Sequence, residues 1–186
     1  DNIKLLTVIV ASYNSEKYIK DTLCSILNQS YQKIELIISD DASPNFNRAE
    51  LEEFVNINKK SNLIKYIIYK NPENLGTVKN LNNALRNANG EYICMIGADD
   101  VYYSNEVIEK LVNSLEEYRE LFLVTGKTLS CSENLKLIKS TRVELSNLMQ
   151  EEITKLNKNE RIACVIKHNL IFLATQSCCF KKEFFS

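Results

Sequence analysis

Leu5-Leu6-Thr7-Val8-Ile9-Val10-Ala11 is apolar almost without interruption. A strand with one wet face would alternate apolar and polar residues. This one has no polar side, so it fits a parallel sheet with helices on both faces. The polar loop Ser12-Tyr13-Asn14 follows, and Asn14 or Ser15 is placed to cap a helix. Ile19, Leu23, Ile26 and Leu27 recur at helical spacing through it, while Lys17, Lys20 and Asp21 face away, and Asn28-Gln29-Ser30 closes it. The unit then repeats. Ile34–Ser39 is a second strand, followed by an amphipathic helix with Leu51, Phe54, Val55 and Ile57 on its core side. Ile64–Tyr69 is a third strand, followed by a helix burying Val78, Leu81, Ala84, Leu85 and Ala88, stopped at Asn89-Gly90. Tyr92–Ile96 is the fourth strand, and Ser104 is placed to cap a helix carrying Val107, Ile108, Leu111, Val112 and Leu115.

Beyond the strand expected at Leu121–Gly126 the pattern weakens. Ser130–Ser146 reads as loop with a short strand, Leu148–Asn157 as helix, and Leu170–Lys181 as a final strand. Strands alternating with helices give an α/β fold with a mainly parallel central sheet, flanked by helices and joined by right-handed crossovers. At 186 residues the chain is long enough for a single domain with a real core.

Two of the strands end abruptly in paired carboxylates: Asp40-Asp41 after the second, Asp99-Asp100 after the fourth. Aspartate is common wherever a strand stops, so either pair alone also fits a plain turn. In an open α/β sheet, however, ligands sit at the carboxyl ends of the strands. Parallel strands would bring Ser12-Tyr13-Asn14 and both acid pairs to one edge. Asp99 and Asp100, with no Lys or Arg for several residues around, form a hard oxygen site suited to Mg²⁺ or Mn²⁺.

Other classes are disfavoured. A net charge of −1 leaves no basic footprint for nucleic acid. No apolar run approaches membrane-spanning length, and no signal peptide is evident. The six cysteines show no metal-ligand spacing and read as small buried hydrophobes in a reducing cytosol. Cys178 and Cys179, adjacent on a strand, should point to opposite faces. The first loop lacks the glycine-rich turn of a dinucleotide-binding oxidoreductase, the acidic pair of a phosphorylated receiver domain and the Gly/Arg loop of a sugar nucleotidyltransferase.

Five stretches in order make the sequence resemble glycosyltransferase family 2, inverting enzymes of the GT-A fold that use nucleotide sugars. They are Thr7–Asn14, Ile26–Tyr31, Glu35–Ser43, Asn74-Leu75-Gly76 with Lys79-Asn80, and Ala88–Ile93 running into Ala98-Asp99-Asp100. The resemblance implies that Ala11, Ser12 and Tyr13 line the nucleotide pocket, Tyr13 against the base. Asp41 would accept from the base's ring NH, and Gly76 and Lys79 would approach the nucleotide. Many relatives have Arg where this chain has Lys79. Asp100, with Asp99, would be the metal motif, Asp99 also contacting the ribose or donor sugar.

On that resemblance, 1–126 is the nucleotide-sugar-binding half of a single domain, and 127–186 begins the acceptor half. The general base, an Asp or Glu in the acceptor half, is expected beyond Ser186, since Glu183 comes too early in the pattern. His168 reads as structural. The implied donor is a nucleoside-diphosphate sugar, with UDP the expected nucleotide. The implied acceptor is a glycan or lipid-linked hydroxyl in bacterial surface-polysaccharide synthesis. The implied setting is cytoplasmic, at the inner face of the membrane, with any membrane association supplied by other parts of the protein. The competing expectation is a non-catalytic nucleotide-sugar-binding or scaffold domain.

Overall fold

A computed structural model describes residues 3–139, 155, 157 and 177–185. Its main sheet has six strands. They are β1 (Leu6–Ser12), β2 (Ile34–Asp40), β3 (Leu63–Lys70), β4 (Tyr92–Gly97), β5 (Leu123–Thr125) and, last in sequence, β8 (Cys178–Lys181), in the order β3-β2-β1-β4-β8-β5. β3, β2, β1 and β4 are mutually parallel, and β8 runs antiparallel between β4 and β5. The expected mainly parallel sheet is present. A separate two-stranded hairpin pairs β6 (Ser130–Cys131) with β7 (Leu137–Ile138), where the sequence suggested loop and one short strand. The expected fifth strand is trimmed to Leu123–Thr125, with Leu121 and Phe122 exposed.

Three helices connect these parallel strands, α1 (Ile19–Leu27), α2 (Arg48–Asn58) and α3 (Thr77–Asn87), and α4 (Val107–Glu117) follows β4. One face of the sheet packs Val8, Leu36 and Ile96 against Leu23, Leu51 and Ile108. The other packs Ile9, Ile37 and Met95 against Ala84 and Ala88 at and just past the end of α3. Val8 and Ile9 are both fully buried, as a strand covered on two faces requires. Cys178 and Cys179 enter opposite cores, while Cys131 is exposed.

Several local expectations are corrected. Ile57 is exposed because it lies two residues past Val55, on the far side of α2 from the buried Leu51–Val55 pair. Val78 is exposed as well, because the inward position on the first turn of α3 belongs to Asn80. Helix α1 starts at Ile19 without a side-chain cap, after a turn in which the Ser15 carbonyl accepts from Tyr18 and Ile19. Ser104 does not cap α4 with its side chain. Gln29 fills that place instead, its Oε1 accepting the Ile108 N–H at 3.1 Å and its Nε2 donating to the Ser104 carbonyl at 2.8 Å.

At the amino end of β2, buried Glu35 accepts from the Thr7 hydroxyl (2.7 Å), the Asn89 backbone N–H (2.7 Å) and the Asn89 amide (2.8 Å). Lys65 lies 3.5 Å away. Burial pushes this carboxyl up, but the Asn89 and Thr7 hydrogen bonds and the Lys65 charge outweigh it and hold it below its ordinary range. The helix expected over Leu148–Asn157 (of which Lys155 and Asn157 alone are described), the 170–176 part of the last strand, and His168 lie outside the described residues.

Candidate active site

Register decides whether the three loops meet. Ser12 pairs with Asp40 and Ala11 with Gly97, so β1, β2 and β4 end level with one another. The loop backbones stay paired one residue further: Asp41 N–H donates to the Ser12 carbonyl (2.8 Å) and Ala98 N–H to the Ala11 carbonyl (2.9 Å). The chain steps from β1 outward to β2 and β3, then returns to place β4 on β1's other side. Strand order therefore reverses at β1, where open α/β sheets form a crevice.

The loops after β1 and β2 are locked together. Asp40, fully buried, accepts from the Ser43 N–H (2.8 Å) and the Ser43 hydroxyl (2.6 Å), and the Ser43 hydroxyl accepts from the Asn14 N–H (2.8 Å). In these two loops Asn14 and Ala42 adopt left-handed backbone, φ 52° and 69°. Asparagine tolerates this, whereas for alanine it costs about 1 kcal/mol and persists only because its surroundings fix it. Tyr13 is carried outward and is 49% exposed.

Asp41 is buried and faces the loop that enters α3. Its Oδ1 accepts from the Asn71 side chain (3.0 Å) and the Leu75 N–H (2.9 Å), and its Oδ2 from the Gly76 N–H (2.8 Å). A carboxylate offers about four acceptor directions, so one on Oδ2 remains. Asn71 also donates to Asn80 Oδ1 (2.9 Å), Asn80 donates to the Ser39 carbonyl (3.0 Å), and the Ser39 hydroxyl bonds Asn80 Oδ1. Asn71 and Asn80 thus form the polar floor that sets the α3 entrance. Gly76, at φ 80°, makes the turn into the helix that a side chain would resist. Lys79, in the first turn of α3, is exposed.

Asp99 and Asp100 fold back over the end of β4. A Cβ on Gly97 would lie 2.8 Å from Asp99 Oδ1 and 3.2 Å from Asp100 Oδ2, so the two carboxylates converge above this glycine and would have to shift to admit a side chain. Burial, and then the Asp99 charge, raise the Asp100 pKa above its ordinary value. Such a pair gains from a cation, and its hard oxygens fit Mg²⁺ or Mn²⁺. Among the described residues no group of three or more His, Cys, Asp or Glu could encage a metal. Sequence reasoning missed the support from α1. The Thr22 hydroxyl donates to the Asp100 carbonyl (2.7 Å), and Ser25 Oγ accepts from the Tyr102 N–H (3.2 Å).

Ala11, Ser12, Asp41, Gly76, Asp99 and Asp100 thus all gather at one end of the sheet. A cavity of about 160 Å³ touches Ser12 and Asp40 from the α1–α2 side but is not lined by Asp41, Gly76, Asp99 or Asp100, so it is a neighbour of this crevice. Glu183 lies elsewhere. It lines a groove with Lys4, Glu91, Tyr92 and Glu116 at the amino end of β4, remote from Asp99 and Asp100.

The family model described as Glycosyl transferase family 2 matches residues 7–180. TuaG of Bacillus subtilis, a glycosyltransferase assigned to teichuronic acid biosynthesis, is 30% identical over 161 residues, covering 87% of this chain and 60% of TuaG. The mannosyltransferase PcManGT of Pyrobaculum calidifontis, solved with GDP-Man and Mn²⁺, superposes with a TM-score of 0.60 at 25% identity, covering 70% of this chain and 36% of that one. Residues 1–349 of TarS from S. aureus, solved with UDP, superpose with a TM-score of 0.53 at 27% identity, covering 62% and 33%. The chain spans between 34% and 60% of the length of the first relatives it matches.

Proposed function

Because the chain belongs to glycosyl transferase family 2, we propose that this crevice binds a nucleoside-diphosphate sugar, with UDP the expected nucleotide, for transfer to an acceptor hydroxyl. The observation that supports the reading is the level ending of β1, β2 and β4, which brings a buried acceptor, a paired-carboxylate motif and a helix entrance to one end of the sheet. The GT-A likeness and the UDP and GDP-Man complexes of the neighbours support it.

Each residue has a physical reason for its role. The remaining acceptor direction of Asp41 suits a ring N–H of the base, since a carboxylate accepts and never donates. Tyr13, half exposed beside Asn14, offers a ring face to the base. The polar loop at Ser12 and the backbone at Ala11 border the ribose. Lys79 in the first turn of α3 is a positive charge on a flexible stem for the diphosphate. Asp100, with Asp99, would hold Mn²⁺ or Mg²⁺, which supplies neutralisation of the charge that develops on the departing diphosphate.

In an inverting transfer the acceptor oxygen bonds to the anomeric carbon as the carbon–oxygen bond to the diphosphate breaks. A carboxylate base from the acceptor half removes the hydroxyl proton. Residues 127–186 belong to that half in this reading, and surface-polysaccharide synthesis at the inner membrane face is the proposed setting. Among the described residues no helix is long and apolar enough to cross a membrane.

The test is calorimetric titration of UDP, GDP and dTDP, with and without Mn²⁺, into wild type and Asp100→Ala. Binding of one nucleotide that requires Mn²⁺ and is lost in the variant is expected. Equal binding with and without metal would overturn the cation role. Binding without any turnover of donor by the full-length protein would favour a scaffold.

A further inference from the structure

Two cysteines that the crevice does not use face each other where β4 meets β8. Cys94 on β4 pairs with Cys179 on β8 in antiparallel register. Further along the same ladder the Lys182 N–H donates to the Glu91 carbonyl (2.8 Å), so Glu91–Lys182 is a hydrogen-bonded pair. Antiparallel pairs alternate between hydrogen-bonded and open, which makes Cys94–Cys179 an open pair. The β5 side gives the same parity. There the Lys181 and Gly126 N–H groups donate to the Phe122 and Ser177 carbonyls (2.8 Å each), so Cys179 is in a hydrogen-bonded pair with Val124 and open toward β4. Open pairs bring their Cα atoms to about 4.5 Å, inside the range of about 4.4–6.8 Å that a disulfide spans.

The side chains agree with the register. Both cysteines are fully buried in the core that holds Val8 and Ile96, whereas Cys178 enters the opposite one. The two thiols are in hydrogen-bonding contact, and that contact, with burial, pushes the Cys179 thiol up. The buried Tyr102 hydroxyl lies beside them and has no well-formed hydrogen bond among the described residues. Burial alone would leave either cysteine an inert small hydrophobe. Opposed at an open pair, the two share a reaction that neither has alone. On its far side β8 is held by only the three residues of β5, so local opening of that edge is the route by which an oxidant reaches the sulfurs.

We infer that Cys94 and Cys179 form a reversible cross-strand disulfide that joins β4 to β8. With hydrogen peroxide as oxidant, one thiolate attacks the O–O bond and becomes a sulfenic acid, releasing hydroxide that takes up the thiol's proton. The second thiol then attacks the sulfenic sulfur, the S–S bond forms, and the sulfenic oxygen leaves as water. The pair gives up two electrons and two protons, and the peroxide becomes two waters. A small disulfide serves equally by exchange, leaving as two thiols. A Cα spacing at the short end of the disulfide range strains the bond and favours its reduction, hence its reversibility. The crosslink sits on the strand that leads to Asp99 and Asp100. The inference does not depend on the donor reading.

The test is exposure of the native protein to hydrogen peroxide or oxidised glutathione, followed by acid quench, thiol alkylation and peptide mass spectrometry. A Cys94–Cys179 crosslinked peptide is expected, and dithiothreitol should abolish it. Cys178→Ala should leave its yield unchanged, because that side chain enters the other core. Cys179→Ala should abolish it without redirecting Cys94 to Cys178. The crosslink closes a long loop in the unfolded chain, so the oxidised protein should unfold at higher urea than the reduced one, and dithiothreitol should reverse the shift. A Cys131→Ser background keeps intermolecular disulfides at that exposed thiol out of the unfolding measurement. In wild type, Cys94 and Cys179 that both remain alkylatable after Cys131 is fully oxidised would overturn the inference. So would a crosslink from Cys94 to another cysteine, one that forms only in denaturant, or a urea midpoint lowered by oxidation.

Discussion

Asp41→Asn is the sharpest probe of the crevice, because the substitution keeps shape and removes one acceptor. The wild-type carboxylate takes three donors, from Asn71, Leu75 and Gly76. With the asparagine carbonyl at the Oδ1 position, Asn71 and Leu75 stay bonded, but the new NH₂ confronts the Gly76 N–H. With the opposite orientation two donors are lost instead. A hydrogen bond to a charged group is worth about 1.5–3 kcal/mol, and the surviving bonds weaken when the charge goes. The expected destabilisation is therefore about 2–4 kcal/mol, read from urea unfolding at neutral pH. The Leu75 and Gly76 amides should exchange with solvent much faster, while amides in β1 and β4 follow only the global change. Nucleotide affinity should fall with them, since the same loop forms the α3 entrance. Unfolding within about 0.5 kcal/mol of wild type, with unchanged exchange at Leu75 and Gly76, would refute this account. Asp41 would then act on ligand alone.

Two further outcomes follow from the framework around the crevice. Thr22→Val removes the donor to the Asp100 carbonyl while preserving shape. It should cost about 1 kcal/mol in stability and weaken Mn²⁺-dependent nucleotide binding more than metal-free binding. Equal weakening of both in calorimetry would remove the positioning role. Glu35→Gln should cost about 3 kcal/mol at neutral pH, since it leaves donors facing an amide in a buried site. The Glu35 carboxyl is held below its ordinary value in the folded state, so its contribution is present above the unfolded pKa of about 4.5 and is lost as pH falls through the folded pKa. The wild-type advantage over Glu35→Gln in urea should therefore shrink below about pH 4.5. A constant difference down to about pH 3 would exclude Glu35 as its source.

Much of this architecture is written in local pattern. The two-face burial of Leu5–Ala11, and acids placed directly after apolar strands, dictate parallel strands with their polar residues at one edge, because a period-two strand with no polar face has no other way to hide. The adjacency of Cys178 and Cys179 likewise fixes opposite faces on β8. Helix ends are less legible. A serine in the right place, Ser104, lost its capping role to Gln29, which is distant in sequence and arrives only when α1 packs beside α4. Val78 fits the helical stripe by spacing alone, yet the α3 entrance needed the polar Asn80 inward to satisfy Ser39 and Asn71.

The sequence by itself determined the alternation of strands and helices, the family pattern and the acids at the strand ends, since these depend on residue type and spacing along the chain. Tertiary structure alone decided that β1, β2 and β4 end level and that Asp41 is held from the α3 loop. It alone set Thr22 behind Asp100 and turned Glu183 to the far end of the sheet. Those facts depend on register and on hydrogen bonds between residues tens of positions apart. Such bonds form only after burial removes water as the competing partner.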